Sequence, residues 1–505
     1  MSEQTYDYDV IVVGAGNTAL LTALRAHEQG AKVLVLEIAP KANRGGNAYF
    51  TTGIYRIVHN GLEDVRDLIA DLTEEEYNII IDPYTADDYY RDYSRVTENM
   101  VDPEMMELII NTSTDAIRWM VKKQGVKMEL TSMFTKYIDG KLNFVGPVPI
   151  TAKGGGAGLS DYLFDRVENM DGIDLLYETG VRKLLTNGNG KVYGVSTKSK
   201  NGMKDFTAKA VILSCGGFEA NPEWRARYLG PNWDLAKVRG SQYNMGDGIK
   251  MALDIGARPH GNWSCCHAIF IDADSPQPSI REDTDKSSKR MYIFGLCVNV
   301  NGERFVDEGY SSTENTYSRY GKLALAQPER MVFQLFDANG YKHLTEGGIF
   351  HDYLNAPYTK ADTLEELADK LGMPAETLVK TVTDYNAAAG YPGGNNHWYK
   401  FTGASEDAHT EGLELAKSSC AFLLDQPPYY AYAVECGITF TYGGLKVNKR
   451  AQVLDHGDLP IEGLYASGEI IGGIFYQNYA GACGQLTGAV FATIAGKNAV
   501  DDFKE

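Results

Sequence analysis

The chain has no apolar run approaching the ~20 residues that a membrane-spanning helix needs. It opens MSEQTYDYD, acidic and polar, without the basic and apolar character of a secretory leader. The expectation is a cytoplasmic protein with no membrane span. Cysteine is scarce, seven in 505 residues, and the odd count without C-x-x-C spacing argues against a disulfide framework or an iron–sulfur site. The adjacent Cys265 and Cys266 read as two packed thiols, with a strained vicinal disulfide as the alternative. The nine histidines form no ligand-like cluster, so no metal site is expected. Basic residues are outnumbered 48 to 67, and the net charge of −19 disfavours nucleic acid and anionic membranes as partners. An anionic substrate would have to be held by local arginines, not by the global field. Hydrophobic residues at 44% and charged residues at 23% fit an ordinary globular protein, and the length predicts two domains.

The first forty residues carry the strongest signal. Val10–Val13 reads as a strand, Gly14-Ala15-Gly16 as a tight turn, the next stretch as a helix, and Val33–Leu36 as a second strand ending on Glu37. This is the fingerprint of a dinucleotide-binding unit. Gly14 permits the turn, and Gly16, having no Cβ, lets backbone approach a pyrophosphate. The helix start presents N–H groups and a positive dipole end to phosphate. Ala19 stands at the third glycine position. Glu37 can accept hydrogen bonds from a ribose hydroxyl pair and would repel a 2′-phosphate, which argues against NADP.

Further along, Gly45-Gly46-Asn47 is a loop, and residues 60–125 have helical spacing, with Trp119 read as core or pocket. Gly154–Gly158 is a glycine turn entering a helix, a second candidate phosphate or flavin-edge loop. Short strands from Asp171, punctuated by Asn187-Gly188 and Asn189-Gly190, predict a β-meander. It ends in a buried strand, Val211–Leu213, before Gly216-Gly217. Residues 266–439 look like an inserted α+β unit, with a helical stretch TLEELADKLGMPAETLVKTVTDYNAAAG and a glycine-rich loop GYPGGNNHWYKF. The chain closes with strands, GLYASGE, a glycine loop and an apolar helix to Val500. The expected fold class is α/β: a Rossmann-like unit with β-meander at 1–265 and 440–505, and an inserted capping unit at 266–439.

The ordered set GAG…E, GGN, AVILSCGGF, GERFVDE, GGLKV and GLYASGE resembles the fumarate reductase/succinate dehydrogenase flavoprotein superfamily over nearly the whole chain. TFTYGGLKV, SGEIIGGIFYQNYAGACG and TYSRYGKL are most similar to its tricarballylate dehydrogenase branch. The resemblance implies FAD, a cleft between two domains, and addition or removal of hydrogens across a C–C bond next to a carbonyl or carboxylate. The flavin would handle a hydride and a protein group a proton. By matching position, Gly14, Gly16 and Ala19 take the pyrophosphate and Glu37 the adenosine ribose. Gly45, Gly46 and Asn47 lie along the flavin, Val181 meets the adenine, and Gly216 and Gly217 lie against the dinucleotide. Glu469 binds the ribityl chain, and Gly484, Gln485 and Leu486 present amides to the flavin O2 region. Members with covalent flavin carry a histidine near the first glycine pair. GGNAYFTTG has none, so noncovalent FAD is expected.

For the reacting centre, the resemblance implies His267 as a substrate-binding residue and Arg319 as the proton-shuttling arginine. Tyr317 and Tyr320 flank Arg319 as relay or packing groups. Tyr479 stands where fumarate reductases clamp a carboxylate with arginine and where 3-ketosteroid dehydrogenases use tyrosine on a ketone. A phenol donates one hydrogen bond, whereas a guanidinium grips a carboxylate with two. Phe440 replaces a family histidine, and the basic residues expected after GGN are missing, with only Arg56 further on. These departures favour a less charged carbonyl compound over tricarballylate. The readings kept open are a tricarballylate-like dehydrogenase, a ketone or 3-ketosteroid desaturase, and a fumarate reductase-like ene-reductase. A non-enzymatic binding module and an amine oxidase fit the motif set poorly. No haem motif is present, so electrons would pass to or from a separate carrier, a quinone or oxygen.

Overall fold

The structure is a computed structural model that describes residues 5–144, 146–311, 313–346, 351–389 and 408–504. The expected glycine-rich loop at 390–401 lies outside the described residues.

A parallel sheet organises the first unit. Its strand order is Ile173–Leu176, Val33–Leu36, Tyr8–Val13, Gly202–Leu213 and Pro460–Ala466, all parallel. Val10, Ile11 and Val12 have no exposed surface. A continuous apolar run is what a strand covered on both faces requires. Helix Asn17–Glu28 follows the first strand and packs against helix Cys483–Lys504. The expected short strand Val211–Leu213 is the end of a twelve-residue strand, Gly202–Leu213. Its first half pairs antiparallel with Val192–Ser199, and its second half joins the parallel sheet. With Gly180–Thr186 these strands form the meander, whose turn is held by Asn187: its Oδ1 accepts from the N–H groups of Asn189 and Lys191.

The stretch from 60 to 125 yields helices Leu62–Leu68, Ala86–Val96 and Pro103–Lys122. Asp102 caps the last of these, accepting from Glu104 and Met105, with Pro103 at its first turn. Trp119 donates to Glu28 and does not line the cleft.

A second sheet is built on one long strand, Tyr429–Leu445, with Lys237–Val238, Val332–Phe336 and Thr359–Ala361 against it, and Leu296–Asn299 beyond. Its own core includes Leu296, Leu335, Leu367, Leu378 and Ala431. The helical stretch divides into Leu364–Leu371 and Ala375–Ala388, broken where Gly372 adopts φ +70° before Pro374. Strand Pro259–Asp272 runs antiparallel to Tyr429–Leu445 from Pro259↔Leu445 to Asp272↔Val434. Both expected domain junctions, 265/266 and 439/440, fall inside this ribbon. Its register slips between Asn262 and Cys266 and again between His267 and Ala268, so His267 is flanked by irregularities. Bulges of this kind re-aim side chains next to functional sites. Cys265 and Cys266 form no disulfide with each other, nor is any other of the seven cysteines in one.

Candidate active site

A long cleft opens at the C-terminal ends of the parallel strands, where open α/β sheets bind ligands. Gly14 ends the first strand at φ +101°, and a Cβ there would sit 2.6 Å from the Ser214 carbonyl oxygen, so no other residue fits. Gly16 begins the helix without any side-chain cap, which leaves first-turn N–H groups open to the cleft. A Cβ on Gly16 would meet nothing nearer than the Gly45 oxygen at 3.8 Å, so the space over it is clear. Glu37 is buried, and its two carboxylate oxygens accept from Ala15 N–H at 2.8 Å and Ala39 N–H at 2.7 Å. Burial pushes its carboxyl up, against those hydrogen bonds. Val181 and Thr179 line the same end.

The buried amide of Asn17 has no partner at either polar atom, and Thr487 Oγ1 has none; both residues line the cleft. Unpaired buried polar atoms along a groove call for a polar ligand. An adenine dinucleotide would fit this cradle, with Gly16, Asn17 and Glu37 among the residues that could hold it.

Of the expected cofactor residues, Gly14, Gly16, Glu37, Gly46, Asn47, Val181, Gly216, Glu469, Gly484 and Gln485 line the cleft. Four do not. Ala19 and Leu486 have no exposed surface and serve helix packing. Gly45 is pressed on Ser160 and Tyr49, and Gly217 packs on Glu469 and Thr441, where a Cβ would lie 2.2 Å from an oxygen of each. The glycine turn Gly154–Gly158 is also absent from the cleft wall; the helix it opens packs behind residues 47–50.

At the other end the cleft becomes an aromatic box. His267, 3% exposed, stacks on Phe440 at 4.9 Å between ring centres and meets Tyr317 and Tyr479 edge-on at 5.1 and 4.9 Å. Phe475 closes the wall at 5.3 Å from Tyr479. The Tyr479 hydroxyl accepts from Tyr317 O–H at 3.0 Å and from Ala482 N–H at 2.9 Å, so its own proton remains to be donated. Burial pushes the Tyr479 phenol up, opposed by these two hydrogen bonds. His267 Nδ1 is buried without a partner. Burial, and then the charges of Arg239 and Arg290, push His267 well below its ordinary range, so it is neutral.

The sequence signals missed the arginines of this wall. Arg239 and Arg290 both line the cleft and both pair with Asp285, Arg290 at 2.9 Å. Arg239 also donates to Ser288, Thr439 and the Phe50 carbonyl. Arg290 lies 5.9 Å from the Tyr317 ring. Arg319 is placed elsewhere. It is exposed, sits over Tyr310 at 5.7 Å, and is absent from the cleft, because helix Thr313–Leu325 turns Tyr317 inward and Arg319 outward. Tyr320 is buried beside Phe270 and Tyr292 and donates to the Asp307 carbonyl, so it packs. Arg56 is buried behind the site, donating to the Gly481 carbonyl and to Tyr84, and braces the loop that carries Tyr479.

Comparison with known proteins agrees with this architecture. Residues 9–486 match the family described as FAD binding domain. The chain is 28% identical to a probable fumarate reductase, Ifc3, of Shewanella frigidimarina, over 97% of this chain and 74% of that one. It is 26% identical to a vinyl phenol reductase of Lactiplantibacillus plantarum, over 94% and 93% respectively. The open conformation of a flavocytochrome c3 fumarate reductase superposes with a TM-score of 0.73 at 26% identity, over 99% of this chain and 79% of that one. Among the described residues no helix is long and apolar enough to cross a membrane. The chain belongs to the FAD binding domain family, within the fumarate reductase/succinate dehydrogenase flavoprotein superfamily, and is an FAD-dependent oxidoreductase.

Proposed function

We propose that this enzyme adds or removes hydrogens across the C–C bond alpha–beta to a carbonyl, with an uncharged, planar carbonyl compound as substrate. The observation that carries the reading is the Tyr479 hydroxyl, which accepts two hydrogen bonds and keeps one proton to donate inside an aromatic box. Neutral His267, whose own buried Nδ1 is unpartnered, supplies a second uncharged contact. A carboxylate moved against Tyr479 and His267 needs a charged partner to offset several kcal/mol of desolvation; neither group is charged, and the two arginines of the wall already share Asp285. That weighs against tricarballylate and against a fumarate-like dicarboxylate.

Bound FAD supplies the two-electron chemistry, and the chain's own groups do the rest. Tyr479, with Tyr317 and the Ala482 N–H behind it, holds the carbonyl oxygen and takes up charge that develops there. Arg290, on the same wall, takes the proton-moving role that the resemblance gave to Arg319. Phe440 and Phe475 exclude water and hold a flat substrate. The cofactor is held noncovalently, since the loop wall at residues 46–54 offers no histidine. A dicarboxylate substrate is the second reading, favoured only by the two arginines near His267. A separate carrier, a quinone or oxygen exchanges electrons with the flavin, and the surrounding compartment is the cytoplasm. The FAD-binding unit is residues 1–265 and 440–505, with 266–439 as cap.

Tyr479→Phe tests this. It removes the donated proton and keeps the ring. The expected result is a fall in kcat on the order of 10²-fold, the scale of a lost oxyanion donor, with FAD content unchanged. Unchanged turnover would remove Tyr479 from the mechanism.

A further inference from the structure

Two carboxyl groups meet beneath the cleft wall. Glu219, which has no exposed surface, and the half-buried Glu469 bring Oε2 and Oε1 together beside Gly217, 3.0 and 2.2 Å from where a Cβ on that glycine would stand. One oxygen of Glu219 accepts from the amides of Asn47 and Asn244. No N–H or hydroxyl reaches the other, Oε2, so its contact with Glu469 is a hydrogen bond only if a proton lies between the two groups. Glu469 accepts from the N–H of Thr441 at 2.9 Å and from its hydroxyl at 3.4 Å, and it lines the cleft where Glu219 does not. Asn47 in turn donates to the Thr439 carbonyl and accepts from Ser241 N–H at 2.7 Å, which ties the loop at residues 45–47 to the long ribbon.

We infer that Glu219 and Glu469 share one proton, carried by Glu219, and that Glu219 is the positioning residue that sets Glu469 and Asn47 against the cofactor. Two carboxylates this close, one of them without exposed surface, disfavour ionising together. Burial, and then the neighbouring carboxylate, push the Glu219 acid well up, and burial pushes Glu469 up as well. The proton goes to Glu219 because it is the more deeply buried acid and its Oε2 has no donor of its own, while Glu469 faces the cleft and receives a backbone N–H that favours its charged form. Glu469 is thereby left as an acceptor facing the cleft. The nearby cation is Arg225, and its guanidinium donates to the main-chain carbonyls of Glu219 and Asp234, not to either carboxyl. Thr441, Asn47 and Asn244 complete the surroundings, none of them titratable.

The sign of the pH effect follows. Glu219 binds its proton more tightly folded than unfolded, so its contribution favours folding most at pH below the ordinary glutamate range and declines as pH rises above it. Glutamine at 219 mimics the protonated acid: its amide N–H donates to Glu469, its oxygen accepts from Asn47 and Asn244, and it cannot ionise. The experiment compares the wild-type holoenzyme with Glu219→Gln and Glu219→Ala by FAD dissociation and by thermal unfolding from pH 5 to 9. Glu219→Gln should hold FAD within about threefold of wild type. Its Tm should exceed wild type at pH 9 by ~2 °C or more, the gap closing toward pH 5. Glu219→Ala, which strips the Glu469 and Asn47 contacts, should weaken FAD about tenfold or more, the scale of a buried polar group left unsatisfied. The inference is overturned if Glu219→Gln fails to fold or loses FAD, if its Tm–pH curve runs parallel to wild type, or if Glu219→Ala keeps wild-type FAD affinity.

Discussion

The two ends of the cleft are built on different principles. At the dinucleotide end the contacts are mostly backbone: the Gly14–Gly16 turn, the uncapped helix start, and a carboxylate whose oxygens are already held by main-chain N–H groups. At the aromatic end the groups are mostly side chains, brought from the 267, 290, 317, 440 and 479 regions by a ribbon, a loop, a helix and the final glycine segment. The first end tolerates change at few positions because it depends on the absence of side chains. On the proposed reading, the second end sets what the enzyme accepts.

That contrast is broken most severely by changes at the dinucleotide end. Glu37→Arg puts a cation where a ribose hydroxyl pair is expected and unpairs two buried N–H groups. The purified variant should be colourless; a protein with normal flavin absorbance would refute the ribose assignment. Gly217→Ala should also lose FAD, since its Cβ would fall 2.2 Å from the Glu469 and Thr441 oxygens. Flavin content after gel filtration checks it.

Changes at the aromatic end should leave the protein yellow and alter turnover. Arg290→Gln is expected to lower kcat by ~10²-fold or more, the scale of a lost proton-transfer group, with FAD retained. Because His267 is neutral, its contribution to substrate binding should not vary through the ordinary histidine range. A pH profile of kcat/KM should therefore show no inflection near pH 6.5 that His267→Asn abolishes. The smallest effect belongs to Arg319→Gln, whose exposed side chain should be replaceable with kcat within about twofold of wild type. A large loss there would return Arg319 to the site and displace Arg290.

The contrast also explains what could be read before the fold was seen. Gly14, Gly16 and Glu37 were legible because their spacing within one strand–turn–helix–strand unit is itself the geometry. The meander was legible from its Asn-Gly turns and the inserted unit from its change of pattern. Arg290 was not, because SSKRMYIFG carries no local pattern and reaches the cleft only through the pairing of distant strands. Arg319 was misplaced for the related reason that a helix was needed to decide its direction. Two positions from Tyr317 along a helix is most of the way to the opposite face, so the residue beside an inward tyrosine in sequence is outward in space. Glu219 lay one residue past the recognisable Gly216-Gly217-Phe218 step. Its partner Glu469 is 250 positions away, so the pair was invisible without contacts.

The most direct test of the central claim is anaerobic reoxidation of the reduced enzyme, followed by the return of flavin absorbance with a matched panel: a cyclic enone, an aryl enone, fumarate and aconitate. An enzyme with an uncharged aromatic carbonyl site should be reoxidised quickly by the enones and negligibly by the di- and tricarboxylates. Rapid reoxidation by fumarate or aconitate, with the enones inert, would contradict the account and make the arginines beside His267 the substrate clamp.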